Sequence, residues 1–384
     1  MKKLCFVYFD AGGGHRSAAM ALREVVEREN RPWEIELLHL QELLDSLDIF
    51  RKVTGIRLED CYNLVLKKGW TLGSAQTLRF MQWIVRWFHD AQVKILAEYW
   101  RQHPADLVVS LIPNFNRALA ESLGKAAPGT PLVTVLTDLA DYPPNFWIVP
   151  EGQYYICGTD RAVEQARAAG HGGDAIFRAS GMILNPRFYE VPAIDRAAER
   201  RGLGLAPDLP TGLVLFGGQG SNVMEDIARR LDHVQLILIC GRNEPLAARL
   251  RALRRSSPTF VEGFTREVPY YMQLSDFFIG KPGPGSLSEA LHMGLPVITE
   301  RNAWTLPQER YNAEWIREQG YGIVVPHFRQ VREAVDEILD PERGALYRGA
   351  VAALDNRAVF EIPGFLGRVL DAHSVEGGQA PALS

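Results

Sequence analysis

Short apolar runs alternate with helix-patterned segments along almost the whole chain, and three of the runs open directly into glycine clusters. Runs of this length bounded by turn residues read as buried strands, and helices between successive strands make their pairing parallel. In the first half the strands are expected at 4–9, 34–40, 107–111, 132–137 and 154–157. In the second half they are expected at 213–216, 235–240, 259–262, 277–279, 297–299 and 323–325. The intervening segment, 185–210, carries scattered prolines and a mixed charge run and reads as a linker, with its centre at 191–210. A length of 384 residues is long for one core and suggests two domains, at 1–190 and 211–340. C-terminal helices are expected at 341–373, and the tail 374–384 has the composition of disorder.

Hydrophobic residues at 47% and charged residues at 23% describe an ordinary globular protein, and a net charge of -4 argues against a nucleic-acid partner. Cys5, Cys61, Cys157 and Cys240 are scattered with no CxxC pair, and read as free thiols in a reducing compartment. The apolar run at 4–9 is too short for a signal peptide or a membrane span, so a cytoplasmic location is expected. The interval 41–103 departs from the strand–helix alternation. It is helical in pattern and rich in aromatics, including Trp83 and Trp87, with Arg79 and Arg86 interleaved. Two readings stand side by side: helices packed on the sheet with aromatic cores, or an amphipathic surface that docks on a bilayer.

The chemistry concentrates at 280–312, GKPGPGSLSEALHMGLPVITERNAWTLPQERYN. A strand ends at a loop carrying Gly283, Pro284 and Gly285, and a helical pattern begins at Ser286. Open backbone N–H groups and the positive end of a helix dipole meet there, which suits a diphosphate. Glu289, one turn on, is placed to accept from a pair of ribose hydroxyls, and Gln308 and Glu309 to read sugar hydroxyls. Glu289 as a plain helix-face residue, and Gln308 with Glu309 as solvated loop, are the simpler alternatives. A second loop, Gly12, Gly13 and Gly14, brings His15 to a helix start, where the dipole favours a neutral ring able to take a proton. That histidine is either a general base or a capping and packing residue. Asp138 follows a buried strand and either orients His15 or caps a helix. A third loop carries Gly218, Gln219, Gly220 and Ser221, and Arg242 either faces a diphosphate or pairs with Glu244.

The chain resembles glycosyltransferase family 28, above all its monogalactosyldiacylglycerol synthase branch and more distantly the lipid I N-acetylglucosaminyltransferase of peptidoglycan synthesis. The resemblance runs over about residues 3 to 340. It is carried by DAGGGHRS from Asp10, VTVLTDL from Val133, ICGRNEPL from Ile239, EGFTR from Glu262 and KPGPGSLSEA from Lys281, in that order. It implies a GT-B fold of the α/β class: two Rossmann-like domains facing each other across a cleft, with a C-terminal helical segment. It implies an inverting hexosyltransferase that uses a UDP-sugar, with no metal and no cofactor. The aromatic and basic interval between Lys67 and Arg101 adds the expectation of a lipid acceptor met at the inner face of the cytoplasmic membrane. By the same resemblance His15 is the general base, with Asp138 at the cleft floor, and Phe264 and Thr265 lie where the uracil rests. Pro284, Gly285, Ser286, Gly218, Gln219, Gly220 and Ser221 line the diphosphate, Glu289 holds the ribose, and Gln308 and Glu309 the sugar. Two positions depart from the family pattern. Pro143 stands where a His is usual, and Asn185 where an Arg is usual. A transferase acting on a soluble or polyprenyl acceptor, and a UDP-sugar epimerase of the same fold, are the alternatives. A dinucleotide oxidoreductase fits less well, because residues 12–17 end the glycine pattern in Ser17 and the second strand ends without an acidic residue.

Overall fold

The computed structural model describes residues 1–10, 14–44 and 87–376. These divide into two compact units, one holding the described residues up to Pro186 together with those from Arg357 onward, the other Arg187–Asn356. Each is built on a parallel sheet of six described strands.

In the first unit the strands are β1 (Lys2–Tyr8), β2 (Trp33–His39), β3 (Leu107–Ser110), β4 (Leu132–Val135), β5 (Tyr154–Cys157) and β6 (Ile176–Arg178), ordered β2-β1-β3-β4-β5-β6. β3 and β4 are buried at every position, as strands covered on both faces must be. Helix Gly14–Arg28 lays Ala18, Leu22, Val25 and Val26 on the sheet at helical spacing. The strand order reverses between β1 and β3, so their C-terminal ends border the crevice where open α/β sheets place their ligands.

The second unit has β7 (Thr211–Leu215), β8 (Gln235–Ile239), β9 (Thr259–Glu262), β10 (Phe277–Ile279), β11 (Val297–Glu300) and β12 (Gly322–Val325), ordered β12-β11-β10-β7-β8-β9. Successive side chains enter opposite cores. Val214, Leu236, Leu238 and Ile279 pack on one face, and Leu213, Leu215, Ile237 and Phe278 on the other. Here the order reverses between β7 and β10, which pair with Ile279 opposite Val214. The two glycine loops that follow these strands are thereby made neighbours.

Every strand expected from the sequence is present within a residue or two of its limits. The three-residue edge strand β6, half-exposed and paired only with β5, carries too weak a pattern to be read in advance. The segment expected as a linker at 191–210 is instead built into the second unit. Asp195 caps helix Arg196–Gly202, and Arg200, buried within the charge run, donates to Leu274 O at 2.7 Å and Asp276 Oδ2 at 2.8 Å. The C-terminal helices also part company. Pro341–Ala352 stays with the second unit, while Ala358–Glu376 returns to the first, where Phe365 stacks on Phe177 at 4.9 Å. Of the aromatic interval, Trp100 is core: it is 2% exposed and its indole donates to Ser122 Oγ at 2.9 Å. Trp87 is 70% exposed. Trp83, Arg79, Arg86, Gly12, Gly13 and the last eight tail positions lie outside the described residues. Cys5, Cys157 and Cys240 are buried free thiols. Among the described residues no helix is long and apolar enough to cross a membrane.

Candidate functional site

At the end of β1, helix Gly14–Arg28 begins with His15 in its first turn, half-buried. His15 Nδ1 lies 2.9 Å from Thr137 Oγ1, just past β4. Burial pushes the imidazole down to about 4, with a hydrogen bond to the Leu111 backbone acting the other way. The ring is therefore neutral at physiological pH. Beside it, 5.8 Å between centroids, stands the Trp147 indole. That indole's Nε1–H donates to Asp138 Oδ2 at 2.9 Å. Asp138 thus reaches the histidine through the Trp147 ring.

Trp147 is placed by Asp141. The Asp141 carboxylate accepts the backbone N–H of Trp147 at 2.6 Å and that of Asn145 at 2.9 Å, folding the loop between them. Burial raises this carboxyl while the loop's backbone N–H groups oppose the shift. Asn116 Nδ2 pins the same loop through Trp147 O at 2.9 Å. Pro143 lies within this loop and Asn185 near the end of the first unit's central segment.

In the second unit the β7 and β8 loops interlock. Arg242 N donates to Gly218 O at 2.8 Å and Asn243 Nδ2 to Gln219 O at 3.2 Å. Gly241 is required there: its φ is +59°, and a Cβ would overlap the Gly218 carbonyl. Gly220 N bonds back to Gly217 O at 3.2 Å, and Ser221 O takes Met224 N at 3.1 Å where helix Val223–Arg230 starts. The Arg242 guanidinium lies 4.8 Å over the Phe264 ring, which is 54% exposed. It does not pair with Glu244, whose carboxylate sits 3.9 Å from Arg251; the planar cation stacks on the ring instead. Thr265 Oγ1 is used locally, accepting Glu267 N at 2.9 Å ahead of helix Val268–Gln273.

Helix Pro284–His292 starts at Gly283 with no side-chain cap, so the N–H groups of its first turn face the loop. Glu289 sits one turn in. No side-chain hydrogen bond or ion pair of Glu289 is present among the described residues, and burial alone pushes its carboxyl up to about 7. A half-buried carboxyl without a partner costs free energy until a ligand supplies donors. Gln308 and Glu309 are 9% and 8% exposed, so neither is solvated loop. Glu309 Oε1 is 2.9 Å from Lys281 Nζ, which gives it an ion pair in place of a wholly open carboxylate.

Residues 213–349 match the glycosyltransferase family 28 C-terminal domain. The chain is a glycosyltransferase with a family 28 C-terminal domain. It is 27% identical to Probable monogalactosyldiacylglycerol synthase 2, chloroplastic, of Oryza sativa subsp. japonica, over 99% of this chain and 82% of that protein. It is 26% identical to monogalactosyldiacylglycerol synthase 1 of Arabidopsis thaliana, over 94% of this chain and 70% of that protein. Among solved structures it resembles S. aureus MnaA with UDP (TM-score 0.62, 15% identity, 97% of each chain). It also resembles Acinetobacter baumannii MurG (TM-score 0.60, 12% identity, 97% and 99% of the chains). The two sheets are those of the GT-B fold.

Within each unit the transferase gathers what the sequence had scattered. His15 and Asp138 meet around Trp147 in the first. In the second, the loops at 217–221, 241–243 and 280–286 meet at the C-terminal ends of β7, β8 and β10. Sequence reasoning missed Thr137, Asp141, Trp147 and Lys281 as site residues. Thr137 and Lys281 lie inside motifs that carried the resemblance, and Asp141 and Trp147 in the segment that follows one of them, but no local pattern says which side chain a loop turns inward.

Proposed function

We propose that this chain is an inverting transferase that moves a hexose, galactose or glucose, from its UDP-sugar to a diacylglycerol-like lipid at the inner face of the cytoplasmic membrane. In this reading His15 takes the proton of the acceptor hydroxyl. The freed oxygen attacks the anomeric carbon from the face opposite the diphosphate, and a single displacement inverts the centre. Ring neutrality is what the role needs, and burial of the His15 imidazole supplies it. The observation that carries the donor assignment is Glu289, an unpartnered carboxyl one turn into a helix whose first N–H groups have no cap. Ribose hydroxyls would donate to the carboxylate while the diphosphate meets the helix terminus. The lipid acceptor rests on the relatives, which are named monogalactosyldiacylglycerol synthases.

The test is a product screen with purified protein, radiolabelled UDP-galactose, UDP-glucose and UDP-N-acetylglucosamine, and a panel of diacylglycerol, polyprenyl and soluble acceptors. Label is expected in a lipid product of inverted configuration. Transfer only to soluble acceptors, or a retained anomeric centre, overturns the corresponding part of the reading.

A further inference from the structure

Lys281 stands immediately before the glycines of the β10 loop, and base, ribose and sugar contacts leave it without a task. Its position is defined from three sides. Nζ lies 2.9 Å from Glu309 Oε1. Its Cε lies 3.4 Å from where a Cβ on Gly283 would stand and 4.0 Å from the same point on Gly217. The arm therefore runs between the loop after β7 and the loop that opens helix Pro284–His292. Both glycines thus flank the arm at ordinary van der Waals range. The Glu309 side chain is 10% exposed and the Lys281 side chain 37%, so the anion is the buried anchor and the cation the open end. An ammonium has three donors, and the Glu309 contact uses one. The arm's Cε stands beside Gly283, the residue from which the uncapped helix starts.

We propose that Lys281 is a binding residue for the donor's diphosphate and takes up the charge that grows on it during transfer, and that Glu309 is the positioning residue that holds Lys281 there. The inference rests on the nucleotide-sugar reading above. In the transfer step the bond from the anomeric carbon to the β-phosphate oxygen breaks, and its electron pair stays on that oxygen. The acceptor oxygen bonds to the carbon and its proton passes to the base, so free UDP leaves with one more negative charge than it bore as an ester. A fixed cation beside that oxygen stabilises the leaving group more than the ground state, which is the condition for raising kcat. Without a cation, a buried Glu309 carboxylate so close to the loop would repel the diphosphate.

Calorimetry with UDP, UMP and uridine on the wild type, Lys281→Met and Lys281→Arg decides the matter. Lys281→Met should weaken UDP binding by about ten- to a hundredfold, the range for a charge-assisted hydrogen bond, and leave uridine within about twofold. Lys281→Arg should recover most of the loss, and turnover of Lys281→Met should fall further than its UDP affinity. UDP affinity within about twofold of wild type in Lys281→Met, or parallel losses for UDP and uridine, overturns the proposal. A double-mutant cycle with Glu309→Gln tests the positioning role. Glu309→Gln should weaken UDP binding in the wild type but not in the Lys281→Met background, where it only removes repulsion, and equal losses in both backgrounds would refute it. A wild type that binds UDP no better than ADP removes the nucleotide reading itself, an outcome separate from any Lys281 result.

Discussion

The indole N–H of Trp147 donates to Asp138 Oδ2 at 2.9 Å, and the same ring stands 5.8 Å from His15. One aromatic side chain therefore links the acid and the base that the sequence suggested as partners. The link is made possible by Asp141, which folds the loop that delivers Trp147.

Replacing Trp147 by Phe keeps most of the packing and removes the donor. Losing one hydrogen bond to a buried carboxylate costs about 1–3 kcal/mol. Chemical denaturation should show that loss, and turnover should fall while UDP affinity holds, because the change is confined to the first unit's loop.

His15→Ala should lose about 10²–10⁴-fold in turnover with UDP affinity unchanged, the range for general-base catalysis. The same residue shapes stability. Between its ordinary value of 6.5 and about 4, an unfolded chain takes a proton that the folded His15 refuses. Acidification through that window therefore destabilises the fold, and His15→Gln should flatten this part of the stability–pH curve. A mutant with near-normal turnover contradicts the base assignment.

Glu289 sets a different pH dependence. Its free carboxyl is pushed up to about 7, and ribose hydroxyls favour the ionised form. UDP affinity should therefore rise with pH through about 7, with proton release visible as a buffer-dependent heat of binding. Glu289→Ala should weaken UDP by about ten- to a hundredfold. In the ligand-free protein the sign reverses: from 4.5 up to about 7 the folded state holds a proton that the unfolded chain has lost, so stability falls as pH rises. Glu289→Gln should accordingly raise the Tm at pH 8 and change it little near pH 4.

No divalent metal should be needed, since a helix terminus, loop amides and Lys281 are available to the diphosphate. Full activity in EDTA is the expected result; activity abolished by EDTA and restored by Mg²⁺ or Mn²⁺ would sink this expectation.

Membrane attachment is tested by flotation. The protein should rise with anionic vesicles, less so at high salt, because each basic side chain at an anionic surface contributes about 1 kcal/mol. Trp87, 70% exposed, is the aromatic of choice for replacement, with Trp83 beside it in sequence. Indifference to vesicles of every composition points to a soluble acceptor.

Local sequence determined the elements. Apolar runs bounded by glycine and proline could hardly be anything but buried parallel strands, and the glycine loops after β7 and β10 followed from the same punctuation. Uncapped helix starts beside them already implied anion chemistry, because backbone N–H groups and dipoles come with the helix and not with the fold. Only the tertiary structure decided which side chains meet. Strand order made the β7 and β10 loops neighbours and set Lys281 between them, although 64 positions separate Gly217 from Lys281 in the chain. Burial, a property of the whole core, moved His15 down and Glu289 up in opposite directions that no spacing could announce. It also turned Arg200, one charge in an apparently solvated run, into an internal tie to Asp276. Periodicity is written in near neighbours; pairing, partner choice and desolvation arise from residues far apart in sequence, and those settle the site.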